Sequence, residues 1–240
     1  MQQPEVVRHA WAVWTARWLG ICALWLAAGA AQAIDGWEPL AASDLDHTQA
    51  LLADDAGGLY AGTASGGVSK SVDGGSSWAP VHTGLGSVGF NGILSLAMDG
   101  LGRLYAGTDG AGIFTSINGG AQWAAANAGL GAAFVSALAA GPGNQMYAGT
   151  SDGVYFSSSG GSRWVALTTG FPTDGVSSLL IGSAGQVYAA THSHGIYQLH
   201  DDGSLVQWIP VNNGLTNWDV RTLARDGAGA LYAGTAGGGV

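Results

Sequence analysis

At 240 residues, with ten tryptophans, 42 glycines and only 10% charged side chains, the chain is long enough to bury a core yet poor in helix-surface residues. Its formal net charge of −9, from 7 basic and 16 acidic residues, repels nucleic acid and anionic lipid. The single cysteine, Cys22, excludes a disulfide framework and a thiolate metal cluster.

Residues 1–33 read as a secretory signal peptide: Arg8 and Arg17 give a basic start, Leu19 to Ala31 is apolar, and Ala31-Gln32-Ala33 is a small-residue cleavage site. The apolar run is 13 residues, short of the roughly 20 that a membrane-spanning helix needs. Leu19-Gly20-Ile21-Cys22 is a poor lipoprotein site, because Ile21 stands where a small residue belongs and an apolar run follows Cys22. The expected mature chain, 34–240, carries five basic and fifteen acidic residues, a net of −10, and is predicted to be secreted, periplasmic or at the cell surface, with no membrane attachment after cleavage.

Beyond residue 33 the chain repeats. Leu59-Tyr60-Ala61-Gly62-Thr63 returns at Leu104 to Thr108, Met146 to Thr150, Val187 to Thr191 and Leu231 to Thr235, with tyrosines 45, 42, 41 and 44 residues apart. A second series, Trp37, Trp78, Trp123, Trp164 and Trp208, is spaced by 41, 45, 41 and 44. A common period with variable loops marks stacked supersecondary units. Within one period, Ile93 to Met98, Arg103 to Thr108, Gly112 to Ser116 and Gln122 to Ala126 are short strand-like segments separated by Gly, Asn and Asp. They predict a four-stranded antiparallel meander, strands A to D, and no stretch carries a helical apolar stripe. One such sheet is marginal alone. Copies packed radially bury both faces, so the predicted fold is an all-β propeller in which the recurring Tyr and Trp fill the space between blades.

Trp37-Glu38-Pro39-Leu40 matches Trp78-Ala79-Pro80-Val81, which places a strand D ahead of the first strand A, able to complete the last blade. Thr235 to Val240 aligns with Thr63 to Val68, so the sequence predicts four full blades plus A and B of a fifth, in a ring expected to continue past Val240.

The segment joining C to D carries a family resemblance. Ser71-Val72-Asp73-Gly74-Gly75-Ser76-Ser77-Trp78 resembles the Asp-box, or BNR repeat, of sialidases, sortilin-type receptors, propeller polysaccharide hydrolases and photosystem assembly factors. The later copies depart from it: Asn118 replaces Asp before Trp123, Ser159 replaces it before Trp164, and the copy at Asp201-Asp202-Gly203 is longer before Trp208. The resemblance implies a structural role for Ser71, Asp73, Gly75, Trp78, Asn118, Trp123, Trp164 and Trp208. Asp73, and Asn118 through its amide oxygen, would accept hydrogen bonds from turn amides. It does not imply sialidase activity, because the only mature glutamate is Glu38 and no Arg-Ile-Pro motif occurs.

In such a meander the B–C and D–A loops share one end, where residues that break the repeat are candidates for a ligand site: Phe90, Asn91, Asp109, Phe134, Asp152, Asp174, His192, His194, Trp218 and Asp219. Trp218, outside the periodic series, reads either as a stacking platform for a sugar or peptide or as a residue tucked onto its blade. His192-Ser193-His194 has no carboxylate or third ligand beside it in the sequence, so no metal or other cofactor is assigned. Tyr105 to Gly110 resembles the segment that holds a catalytic Asp in xyloglucan-cleaving propellers, which would make Asp109 one carboxylate of a glycosidase pair. Ordinary Asp-Gly turn chemistry is the competing reading. The expectation is therefore a non-catalytic binding or assembly scaffold for a protein, peptide or glycan, and no nucleic acid. A hydrolase using Asp109 is the alternative.

Overall fold

The computed structural model describes residues 45, 47–85 and 91–240. The signal peptide expected over 1–33, the Trp37 strand and Phe90 lie outside the described residues. Among the described residues all eighteen elements are strands. The first blade is β1 (Thr48–Ala53), β2 (Leu59–Thr63), β3 (Val68–Ser71) and β4 (Ala79–Pro80), and the second is β5 (Ile93–Met98), β6 (Leu104–Thr108), β7 (Ile113–Ser116) and β8 (Ala124–Ala125). The third is β9 (Val135–Ala140), β10 (Met146–Thr150), β11 (Gly153–Ser157) and β12 (Val165–Leu167). The fourth is β13 (Val176–Ile181), β14 (Val187–Thr191), β15 (Ile196–Asp201) and β16 (Val206–Pro210), followed by a pair, β17 (Val220–Arg225) and β18 (Leu231–Thr235). Each four-stranded sheet is a consecutive antiparallel meander, so the fold is the propeller that the repeat predicts: four full blades and the first two strands of a fifth.

The first strands stand next to one another in sequence order, β1 by β5, β5 by β9, β9 by β13 and β13 by β17. Between neighbouring sheets lie separate apolar clusters. Tyr60 and Trp123 share the first, Tyr105 and Trp164 the second, Tyr147 and Trp208 the third, so each tyrosine packs with the tryptophan of the following blade. The tryptophans also tie blades by hydrogen bonds. The indoles of Trp123, Trp164 and Trp208 donate to the carbonyls of Val81 (2.8 Å), Ala126 (2.8 Å) and Leu167 (3.0 Å), each at the end of the preceding blade. Their backbone amides donate to Thr83, Ala128 and Thr169 on the same loops. This shortens the predicted strand D over Gln122 to Ala126: at Trp123 the backbone pairs with the preceding blade, and Ala124 and Ala125, with the Ala126 amide on Ile113, pair with β7.

At the end formed by the C–D turns, the buried polar side chain of the box is the serine. Ser71 Oγ accepts the Gly75 amide at 2.8 Å, Ser116 Oγ the Gly120 amide at 3.0 Å and Ser157 Oγ the Gly161 amide at 3.0 Å. Asp73 is exposed; it accepts from Ser71 Oγ, from the Ser77 amide at 2.9 Å and from Ser77 Oγ at 2.6 Å. Asn118 does the same through Oδ1, taking the Gln122 amide at 2.9 Å. Trp78 donates its indole to Gly75 of its own turn.

Candidate functional site

The opposite end is assembled by a rule that the strands impose. In four of the five blades the residue just after the second strand donates its amide to the residue just before the first strand of the same blade: Ala64 to His47, Asp109 to Gly92, Ser151 to Phe134 and Ala236 to Asp219. Across each blade boundary the residue after the second strand also meets the residue before the first strand of the next blade. Ala64 lies against Gly92 and Ser151 against Gly175, small pairs that offer no chemistry. At the other two boundaries Asp109 faces Phe134 through an isolated bridge, and His192 Nδ1 stands 3.6 Å from Asp219 Oδ1.

The first of these places holds a half-buried Asp109 beside an exposed Asn91 and a Phe134 that is 38% exposed. Asn91 contacts it through the backbone, its amide donating to the Asp109 carbonyl at 2.9 Å. Among the described residues the Asp109 carboxylate takes part in no hydrogen bond or ion pair. Asp152, from the next blade, is committed locally: Thr150 Oγ1 donates to its Oδ1 at 2.7 Å and the Tyr155 hydroxyl to its Oδ2 at 3.3 Å.

The second place is richer. The loop after β14 carries His192, Ser193 and His194 between two D–A loops, and a carboxylate on each flank engages it. On one side Asp174 Oδ2 accepts from the Ser193 amide (3.0 Å) and hydroxyl (2.7 Å) and lies 3.2 Å from His194 Nδ1. Burial works to raise the Asp174 carboxyl, but hydrogen bonds from Ser193, His194 and Gly175 outweigh it and hold the group below its ordinary value. On the other side Asp219 faces His192 and forms a 2.7 Å ion pair with Arg221. Between them, Trp218 stands 53% exposed on an anchored loop: its carbonyl accepts the Gly195 amide at 3.0 Å, and Asn217 Oδ1 accepts the Asp219 amide at 2.9 Å.

Thus Asp174, His192, His194, Trp218 and Asp219 come together on one patch, whereas Asn91, Asp109 and Phe134 sit two blade boundaries away. Sequence reasoning missed Arg221, Asn217 and Asn212. Asn212 Oδ1 takes the Ile196 amide at 2.7 Å and its Nδ2 donates to the His194 carbonyl, closing the histidine loop. Its signal was available: an Asn four residues after the blade tryptophan recurs at Asn127, which closes the loop before Ile113 in the same way. Among the described residues no three His, Cys, Asp or Glu side chains are grouped to hold a metal ion, and no helix is long and apolar enough to cross a membrane.

No protein-family profile and no curated protein matches the chain. Solved structures do. The extracellular domain of BT4673 from B. thetaiotaomicron superposes with a TM-score of 0.64 at 16% identity, over 85% of this chain and 27% of that one. PorZ, a surface component of the type-IX secretion system of Porphyromonas gingivalis, gives 0.63 at 16% identity, over 85% of this chain and 34% of that one. The GH74 enzyme of Niastella koreensis gives 0.54 at 21%, over 70% of this chain and 30% of that one. The chain therefore spans about a third or less of the length of these structures, and what it shares with them is the propeller fold.

Proposed function

We propose that the chain is a non-sialidase Asp-box propeller, exported by its first 33 residues, that works as a non-catalytic binding or assembly scaffold for a protein or glycan seated on the loop end. One observation carries the reading: where the fourth and fifth blades meet, the repeat is broken by exposed Trp218, His192 and His194 on hydrogen-bonded loops, with carboxylate neighbours Asp174 and Asp219 paired to them or to Arg221. A paired, acid-base-ready set of carboxylates is not part of that patch. The Asp-box assignment is supported by three turns that share a buried Ser and a Gly amide two residues past Asp73, Asn118 or Ser159. Neighbours of the same fold include a secretion-system surface component and an extracellular domain, in keeping with a scaffold outside the cytoplasm.

The second reading is a secreted polysaccharide hydrolase. The uncommitted Asp109 carboxylate favours it, and a GH74 enzyme shares the fold. Glycoside hydrolysis needs a second carboxylate roughly 5 to 9.5 Å across the cleft. Incubation with soluble β-glucans and xyloglucan separates the two readings. New reducing ends that vanish in Asp109→Ala reject the scaffold. Retention of a specific protein, peptide or glycan without cleavage supports it.

A further inference from the structure

We propose that Trp218 is the stacking platform of a site for neutral oligosaccharides at the boundary of the fourth and fifth blades, with His192, His194 and Arg221 as the hydrogen-bonding groups around it. The proposal rests on the scaffold reading and narrows its ligand to a glycan.

Trp78, Trp123, Trp164 and Trp208 recur with the blade and are half-buried or buried; Trp218 has no counterpart in the other blades and leaves 53% of its surface in water. That exposure is maintained by the fold, since the carbonyl of Trp218 is tied to Gly195 and its neighbour Asn217 donates through Nδ2 to the Ala236 carbonyl. With its backbone held in this way, Trp218 has only its two side-chain torsions to restrict, so it presents a flat apolar face at modest entropic cost on binding. The side chains around it are polar and accessible: His192 is 47% exposed, His194 52% and Arg221 48%.

Charge then selects the ligand. Asp219 pairs with Arg221 through Oδ2 while its Oδ1 is buried, and Asp174 is engaged by Ser193 and His194 at Oδ2 and by the Gly175 amide at Oδ1, so neither carboxylate is open to a cationic peptide. The charge of Arg221 is likewise balanced by Asp219, which engages one guanidinium nitrogen and leaves other N–H donors for a neutral ligand, and a chain of net charge −9 has no field to recruit phosphates. A pyranose, apolar on one face and ringed by hydroxyls, matches a flat indole surrounded by imidazole and guanidinium donors.

The test is calorimetric titration of the full chain with cellohexaose, xylohexaose, maltohexaose and laminarihexaose. Saturable binding to at least one is expected, weakened at least about tenfold in Trp218→Ala, the equivalent of one lost aromatic contact. Trp218→Phe retains part of the affinity, and both variants melt with the parent. Binding that survives Trp218→Ala unchanged overturns the platform, as does the absence of binding to all four sugars. If the loop end instead retains a peptide and no sugar, the platform fails while the scaffold reading stands. If a sugar is bound and cleaved, the scaffold reading fails, and the platform stands provided that Trp218→Ala weakens binding to the Asp109→Ala protein.

Discussion

Ser71 Oγ accepts the Gly75 amide at 2.8 Å in the buried interior of its turn, while the carboxylate of Asp73, two residues on, lies at the surface. The same buried bond joins Ser116 to Gly120, although the residue at the Asp position is now Asn118. Ser116→Ala strands a buried amide and is expected to cost about 1–3 kcal/mol. Asp73→Ala removes only exposed acceptors and is expected to lower the melting temperature by less. Urea denaturation of the two variants checks the order, and a larger loss for Asp73→Ala would reverse it.

Asp73 gives the first turn an acid sensitivity that the second lacks. Hydrogen bonds from the Ser77 hydroxyl, then the Ser77 amide, then Ser71 hold its carboxyl down to about 2 from an ordinary 3.8. A depressed folded value means that the contribution is present above pH 3.8 and disappears as pH falls towards 2. Asp73→Asn is expected to keep the turn, as Asn118 does with the Gln122 amide, and to flatten the loss of stability over that window. Melts of the two proteins between pH 5 and pH 2 measure the difference.

The blades were legible because they repeat: a Tyr and a Trp returning at one period force the same packing on each sheet, whatever the loops do. What was not legible depends on side-chain contacts that the period alone does not reveal. The Asp that clasps each tyrosine, Asp54 to Tyr60, Asp99 to Tyr105 and Asp226 to Tyr232, stands six residues earlier and passed for turn chemistry. In the third and fourth blades Gly141 and Gly182 occupy that place, and Gln145 and Gln186 fill the space a Cβ would need. At the loop end, His192 and His194 looked isolated because Asp174 and Asp219 lie on flanking loops, joined to them only when blades stack. Asp109 shows the limit from the other side: its sequence allows either turn chemistry or one carboxylate of a glycosidase pair, and the second member of such a pair, roughly 5 to 9.5 Å across a cleft, comes from far along a chain.

The clasp at Tyr105 is buried, with its hydroxyl donating to Asp99 Oδ2 at 3.0 Å. Burial, followed by that hydrogen bond and the Asp99 charge, pushes the phenol above its ordinary value. A raised folded value means that stability is complete below the ordinary phenol range near pH 10 and is lost as pH rises beyond it. Tyr105→Phe is expected to cost about 1–3 kcal/mol at neutral pH and to remove this alkaline component. Tyr60→Phe, whose bond to Asp54 is 3.5 Å, should cost less. Equal losses for the two would show that packing, and not the clasp, accounts for the effect.

The boundary between the second and third blades offers the sharpest test of how blades are locked. Gly129 has φ +82 and sits so close to the Trp164 carbonyl that a Cβ would overlap it. The same loop supplies Ala126 and Ala128, whose carbonyls accept the indole and the amide of Trp164. Gly84 and Gly170 repeat this arrangement against Trp123 and Trp208, each six residues after its own blade's tryptophan. Gly129→Ala is therefore expected to cost about 1–3 kcal/mol through the backbone alone, with a further loss as the loop moves off Trp164. Trp164→Phe deletes the indole donor and leaves a gap in the cluster around Tyr105. Since the displaced loop in Gly129→Ala already loosens the Ala126 carbonyl from the indole, the second substitution should cost less in that background than alone. A double-mutant cycle by urea denaturation reads the coupling. Strict additivity would mean that the glycine and the tryptophan stabilise the boundary independently.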